Sequence, residues 1–247
     1  MELALIGALI IGLSLGLLGS GGSLLTVPVL VYILNRPEKE AVAESLAIVG
    51  MIALVGVIPY VLRKQIHWNS VFLFGLPGIV GSCIGGCCTY YISGSTQLML
   101  FACLMIGVSA LMIFGPVTYD QFRQYDQPKS LTMLEGFILG CITGFIGIGG
   151  GMIIVPALVV LTRLPMSFAV GTSLTIITMN SLVGFLEQLS VLKTLQLQID
   201  WSVIGMITAA GMVGSLCGGL IGKSVSQGIL RKVFGVSAMV LGLGMIF

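Results

Sequence analysis

From Leu3 to Leu34 the chain runs 32 residues without a charged side chain, and uncharged stretches of 27, 23 and 22 residues follow at Gly136–Thr162, Leu164–Leu186 and Trp201–Gly222. Crossing a bilayer core takes about 20 apolar residues of helix. Between Gln65 and Tyr119, 55 residues hold no Asp, Glu, Lys or Arg and a single histidine, His67, and Ser93-Gly94-Ser95-Thr96-Gln97 divides that stretch into two. Backbone amides find no water in hydrocarbon, so such segments are helices. Composition agrees: 57% of the 247 residues are hydrophobic and 8% charged, where a soluble domain carries about a quarter charged residues. Mean hydropathy is +1.13. The reading is an all-α integral membrane protein, with spans near 3–34, 41–62, 69–92, 96–116, 134–162, 168–192, 202–222 and 231–247.

Glu2 stands where a signal peptide would carry basic residues, so the first segment is expected to stay with the protein. A net charge of +2 with no basic stretch longer than two residues gives no footprint for nucleic acid. The partner expected on these grounds is membrane lipid. The six cysteines lie in apolar segments, and none stands at metal-site spacing to the lone histidine. They read as small apolar side chains, and no cofactor or metal is expected.

Shifting the sequence by 128 positions aligns Gly12–Gly56 with Gly140–Gly184 without a gap, and 19 of the 45 positions are identical. Gly16, Gly19, Gly21 and Gly22 fall on Gly144, Gly147, Gly149 and Gly150, Val27-Pro28 on Val155-Pro156, and Ser45-Leu46 on Ser173-Leu174. After a five-residue insertion Trp68 aligns with Trp201, and Gly81-Ser82 with Gly214-Ser215. Apolar bias alone matches Leu, Ile and Val loosely; it does not align Gly, Pro and Ser. The chain therefore reads as a first membrane repeat over 1–116, a linker over 117–130, and a second repeat over 131–247.

Whether the repeats are parallel or inverted turns on the glycine-rich segments. As one helix, residues 3–34 would span about 48 Å, well beyond a core of about 30 Å. If the chain turns back at Gly19-Ser20-Gly21-Gly22, each half holds an odd number of further crossings and the repeats are inverted. Arg63, Lys64, Arg123, Lys129, Arg163, Lys223, Arg231 and Lys232 then share one side, against Arg36, Lys39 and Lys193. That eight-to-three division fits the excess of basic residues on cytoplasmic loops, whereas the parallel arrangement divides them five to six. The expected fold is two homologous helical repeats, inverted, each with a glycine-broken first segment, re-entrant or discontinuous.

Transporters built this way bind substrate near the midplane, where the halves meet. A helix restarting after each break presents unpaired amides and the positive end of its dipole, which together attract an anion. No Arg or Lys occurs inside any expected span, which points to a small anion held by amides and hydroxyls. The candidate substrate-binding residues are Gly19, Ser20, Gly21, Gly22, Ser23, Ser45, Gly147, Gly149, Gly150, Gly151, Thr172, Ser173 and Asn180. Glu44 and Glu187 are candidates for proton coupling, weighed against a role as interfacial anchors. The bland alternative for the glycines is close helix packing alone.

Gly16-x-x-Gly19-x-Gly21-Gly22-x-x-x-x-Val27-Pro28 and its copy from Gly144 to Pro156 resemble the sulfite exporter TauE/SafE family. So do Gly171-Thr172-Ser173-Leu174 and Gln198-Ile199-Asp200-Trp201. The resemblance covers nearly the whole chain. It implies a secondary permease of the bacterial cytoplasmic membrane for a small sulfur-containing anion, such as sulfite or an organosulfonate, coupled to an ion gradient. The first half departs from the pattern, with Ala43-Glu44-Ser45 against Gly171-Thr172-Ser173 and Ser23 against Gly151. A small-anion channel using the same site is the alternative. An enzyme is not expected, since Ser20 as a nucleophile would need a buried base and the only histidine lies in a loop.

Overall fold

A computed structural model of the chain describes residues 2–19, 21–88, 92–114, 128–146, 151–160, 162, 164–197, 199–221, 232, 235–236, 239–240 and 242–244. The described elements are all helical: α1 (Glu2–Leu18), α2 (Gly21–Pro28), α3 (Glu38–Gly56), α4 (Ile58–Leu62), α5 (Trp68–Ser70), α6 (Leu76–Cys88), α7 (Gly94–Phe114), α8 (Lys129–Ile146), α9 (Gly151–Val160), α10 (Met166–Thr194) and α11 (Trp201–Ile221). Among the described residues five helices are long and apolar enough to cross a membrane: Glu38–Leu62, Trp68–Cys88, Lys129–Ile146, Ser167–Thr194 and Trp201–Ile221. The expected linker lies largely outside the described residues, as does most of the expected last span.

Residues 3–34 do not form one crossing. Helix α1 stops at Leu18, Gly19 takes φ +72°, and α2 starts at Gly21. Only glycine adopts that left-handed angle without a steric penalty. Past the break α2 lies back along α1. A Cβ added at Gly22 would strike the Ile11 carbonyl and Leu15, and one at Gly7 would sit 3.4 Å from Val29. Pro28, inside α2, has no amide to continue the ladder, and a π-helical turn over Val29–Ile33 follows. The corresponding stretch in the second half is described only at its edges, α8 ending at Ile146 and α9 starting at Gly151.

Two glycine seams hold the bundle. On the first, Gly12 abuts the Gly211 carbonyl, Gly16 the Ser215 carbonyl, Gly214 the Leu9 carbonyl and Gly218 the Leu13 carbonyl, so α1 and α11 run parallel in backbone contact. On the second, Gly140 abuts the Gly78 carbonyl, Gly144 the Ser82 carbonyl, Gly81 the Phe137 carbonyl and Gly85 the Cys141 carbonyl, joining α8 to α6 in the same sense. Hydrocarbon is as apolar as any leucine, so helices in lipid associate through such close packing rather than through burial of apolar area. Each contact on one seam maps onto one on the other under the 128- and 133-residue offsets of the sequence alignment. Between the seams α3 and α10 cross antiparallel, Gly50 against Ser181 and Leu46 against Gly184. These two are the most enclosed of the five long helices.

The contacts also fix the bundle's ends. Arg36 reaches Asp200, and Ser95 donates a 3.2 Å hydrogen bond to Glu38, at one end. At the other, the Arg63 guanidinium donates a 3.1 Å bond to the Gly219 carbonyl. Equivalent left-handed residues, Lys64 (φ 55°) and Gln196 (φ 56°), close α4 and α10 at opposite ends.

Candidate functional site

The first break sits against the second half of the chain. Ser173 Oγ donates to the Gly19 carbonyl at 3.3 Å and to the Val170 carbonyl at 2.8 Å. A Cβ on Gly19 would press on Ser173 Oγ and Val170. Tyr60, from the end of the α3–α4 span, donates a 2.8 Å bond to the Gly16 carbonyl. The α1–α2 tip is thus held at about the second turn of α10. Ser173 precedes Ser181 by eight residues, about 12 Å along a helix, so the tip passes the α3–α10 crossing and stops nearer the Arg63 end.

Gly22, a candidate for cradling an anion, is filled by α1 on its open side. Gly21 and Gly151 are the first residues of α2 and α9. Ser23 is buried, and Ser45 is buried with its Oγ donating to the Val42 carbonyl at 2.7 Å. Thr26, fully buried one turn past Gly22, bonds back to the Gly22 carbonyl at 2.8 Å. Thr172 is buried, and its Oγ1 accepts a 3.0 Å bond from the His67 amide. Asn180 is buried near the crossing, opposite Gly78, and its Oδ1 has no partner among the described residues. Ser20, Gly147, Gly149 and Gly150 lie outside the described residues. Gly19 and Ser173 therefore come together, while Asn180 stands about two turns further along α10.

The two carboxylates differ sharply. Glu44 is fully buried and held by Arg36, whose Nη2 lies 2.6 Å from Oε1 and whose Nε lies 3.3 Å from Oε2. The same Oε1 accepts a 3.1 Å bond from the Asp200 amide. Hydrogen bonding to Glu44 raises the Arg36 pKa above its ordinary value, against the opposing effect of desolvation. Glu187, half-buried on α10, lies against Gly86 of α6, and its Oε2 has no partner among the described residues.

Sequence reasoning missed Arg36 and Tyr60 as parts of this region. It also passed over the buried hydroxyls of Ser181, Thr208 and Ser215, which have no partner among the described residues. Asp200 had been singled out only within the Gln198–Trp201 motif. Spacing gives no warning of Arg36, eight residues before Glu44, because a turn rather than a helix joins them. Apart from these groups, an open apolar groove lies between α6, α7 and α8, lined by Ile84, Cys88, Leu100, Cys103, Phe145 and neighbours. It contains none of the candidate residues, and its wall suits an acyl chain rather than an anion.

The profile of the sulfite exporter TauE/SafE family matches residues 4–245. A protein of Xylella fastidiosa described as a probable membrane transporter protein is 30% identical, over 96% of this chain and 92% of its own length. The probable membrane transporter protein YunE of Bacillus subtilis is 25% identical over 91% of this chain and 88% of its own. MJ0441 of Methanocaldococcus jannaschii, described in the same words, is 27% identical over 77% and 73%. No solved structure matches. With apolar helices of crossing length and a family match from Ala4 almost to its last residue, this chain is an integral membrane protein of the sulfite exporter TauE/SafE family.

Proposed function

We propose that the chain is a secondary transporter that carries a small sulfur-containing anion, sulfite or an organosulfonate, across the cytoplasmic membrane by alternating access. The two repeats, 1–116 and 131–247, are inverted, and each glycine break ends a re-entrant hairpin. The observation that carries this reading is the Ser173–Gly19 bond, which sets the break of one half against a hydroxyl of the other. The antiparallel crossing of α3 and α10, and the matched contacts of the two seams, support the inversion.

A thread of buried neutral groups, Ser23, Thr26, Ser45, Thr172, Ser173 and Asn180, runs along α2, α3 and α10. Hydroxyls and amides of this kind suit a compact oxyanion and would not offset a large polyvalent one. If the second break mirrors the first, the two tips straddle the crossing, and an anion moves between them past Asn180. The site is asymmetric, as Ser23 against Gly151 and Glu44 against Thr172 require. Proton coupling falls to Glu187, because Glu44 is already engaged by Arg36.

The test uses purified protein in vesicles and labelled sulfite, with thiosulfate, taurine, sulfoacetate and simple carboxylates as competitors. Saturable flux that responds to a proton gradient is expected. Ser173→Ala is expected to lower transport roughly tenfold, the scale of one lost hydrogen bond to a charged ligand. Currents that do not saturate would favour a channel, and unaltered flux in Ser173→Ala would remove the site from this position.

A further inference from the structure

The two ends of the bundle are fastened by equivalent but chemically unlike contacts. At one end the Asp200 amide, at the cap of α11, donates to Glu44 on α3. At the other the His67 amide, at the cap of α5, donates to Thr172 on α10. Under the 128- and 133-residue offsets Glu44 corresponds to Thr172 and Asp200 to His67, so these are one contact made twice. Each ties the first turns of a central helix to the cap of a helix from the other half. The hairpin exit beside each is also shared, since the Arg36 amide bonds the Leu30 carbonyl at 3.0 Å and the Leu164 amide bonds the Leu158 carbonyl at 3.2 Å.

The difference is charge. At the Glu44 end Arg36 stands where the copy has Leu164. Its guanidinium reaches Glu44 at 2.6 Å, Glu40 at 3.2 Å and the Asp200 carboxylate at 3.9 Å. Glu44 is fully buried in this cluster, and Arg36 is about one-fifth exposed. Asp200 Oδ1 is meanwhile occupied in capping α11, accepting from the amides of Ser202 and Val203. Among the described residues the equivalent contact at the opposite end is a single neutral hydrogen bond, and the Arg63–Gly219 bond at that end joins α4 to α11 without involving either of its residues. Charge-assisted bonds are roughly twice as strong as neutral ones, and a bidentate guanidinium adds geometric fixity.

We infer that Arg36, Glu44 and Asp200 form an ionic gate at one end of the transport path, and that the neutral Thr172–His67 contact at the other end opens first. In the structure both contacts are closed and Ser173, beside the first break, is fully buried, so access from either end requires one of them to part. The weaker contact lies at the end carrying Arg63 and Lys64, the cytoplasmic end by the distribution of basic residues. The resting carrier therefore exposes its site to the cytoplasm, and parting of the ionic gate releases the site outward. This extends the transporter reading and rests on it only in treating the two ends as alternately opened.

The test reads access directly and needs no substrate. The full chain carries Ser173→Cys with the six native cysteines replaced by alanine. A membrane-impermeant maleimide is applied to spheroplasts and, separately, to inverted vesicles, each reaching one end. With the gate intact, labelling is expected from the Arg63 end. The double variant Arg36→Leu, Glu44→Thr copies the other end's chemistry and removes the fully buried Glu44 charge together with its partner. It is expected to raise labelling from the Arg36 end about tenfold, the scale of a lost charged hydrogen bond, with labelling from the Arg63 end falling. The reverse pair, Leu164→Arg with Thr172→Glu, is expected to slow labelling from the Arg63 end. Unchanged labelling from the Arg36 end in the first variant would overturn the gate, as would an equal rise at both ends, which marks general loosening. A vesicle preparation that carries no sulfur anion yet shows the shift would leave the gate standing and remove the substrate assignment.

Discussion

Gly12→Ala puts one methyl group into the seam between α1 and α11, and its cost follows from what that methyl meets. The added Cβ would run into the Gly211 carbonyl, with the Gly211 Cα 2.8 Å away. These are backbone atoms in mid-helix, so no side chain can swing aside and the two helices must separate. Overpacking of this kind costs about 1–3 kcal/mol. For a chain of this size each kcal/mol moves the midpoint of unfolding by about 2–4 °C. A loss near 2 kcal/mol therefore lowers it by about 4–8 °C. Gly205→Ala is the internal control, since a Cβ there meets nothing within 4 Å and α11 is helical throughout. It exchanges glycine for a better helix former and should hold or raise stability by up to about 1 kcal/mol. The assay is thermal unfolding of detergent-solubilised protein followed by size-exclusion chromatography. Gly140→Ala, on the second seam, should behave as Gly12→Ala does, and the double variant should show additive losses because the sites share no partners. Indistinguishable midpoints for Gly12→Ala and Gly205→Ala would refute the claim that backbone contact at the seam holds α1 in place.

Tyr60→Phe removes the bond to the Gly16 carbonyl and leaves a buried carbonyl short of a donor; a loss of about 1–2 kcal/mol is expected, read in the same unfolding assay, and an unchanged midpoint would mean the bond contributes nothing net. Reporter tags inserted after Arg63 and after Arg163 should report the same side of the membrane, and tags after Asn35 and after Gln196 the other; opposite readings within either pair would refute the inverted arrangement.

The membrane class was legible from residue type alone. Uncharged length demanded helices, and a 32-residue run was too long for one crossing. Gly19 takes the left-handed angle its residue type permits. The seams were visible only as conserved spacing between the two halves, because nothing in the order Gly12, Gly16 or Gly214, Gly218 tells which helix lies opposite. The packing of Gly22 was hidden for the same reason: in sequence it adjoins a helix start, and in space α1 fills the place a Cβ would take. A Gly22→Leu variant would therefore damage the hairpin whether or not an anion binds there, which is why Ser173 is the better probe. The ion pair of Glu44 was not legible, because Arg36 is contributed by a turn and the second partner of Glu44 is a backbone amide 156 residues away.

The seams divide the molecule differently from the proposed repeats. The first helix of the leading module is welded to the last long helix of the trailing one, and the first helix of the trailing module to α6 of the leading one. Split at the linker, neither module could close its own glycine faces, and each would present two strips of bare backbone to lipid. In the inverted arrangement proposed above, a lone module is half of an obligate pair, complete only against a second copy inserted upside down.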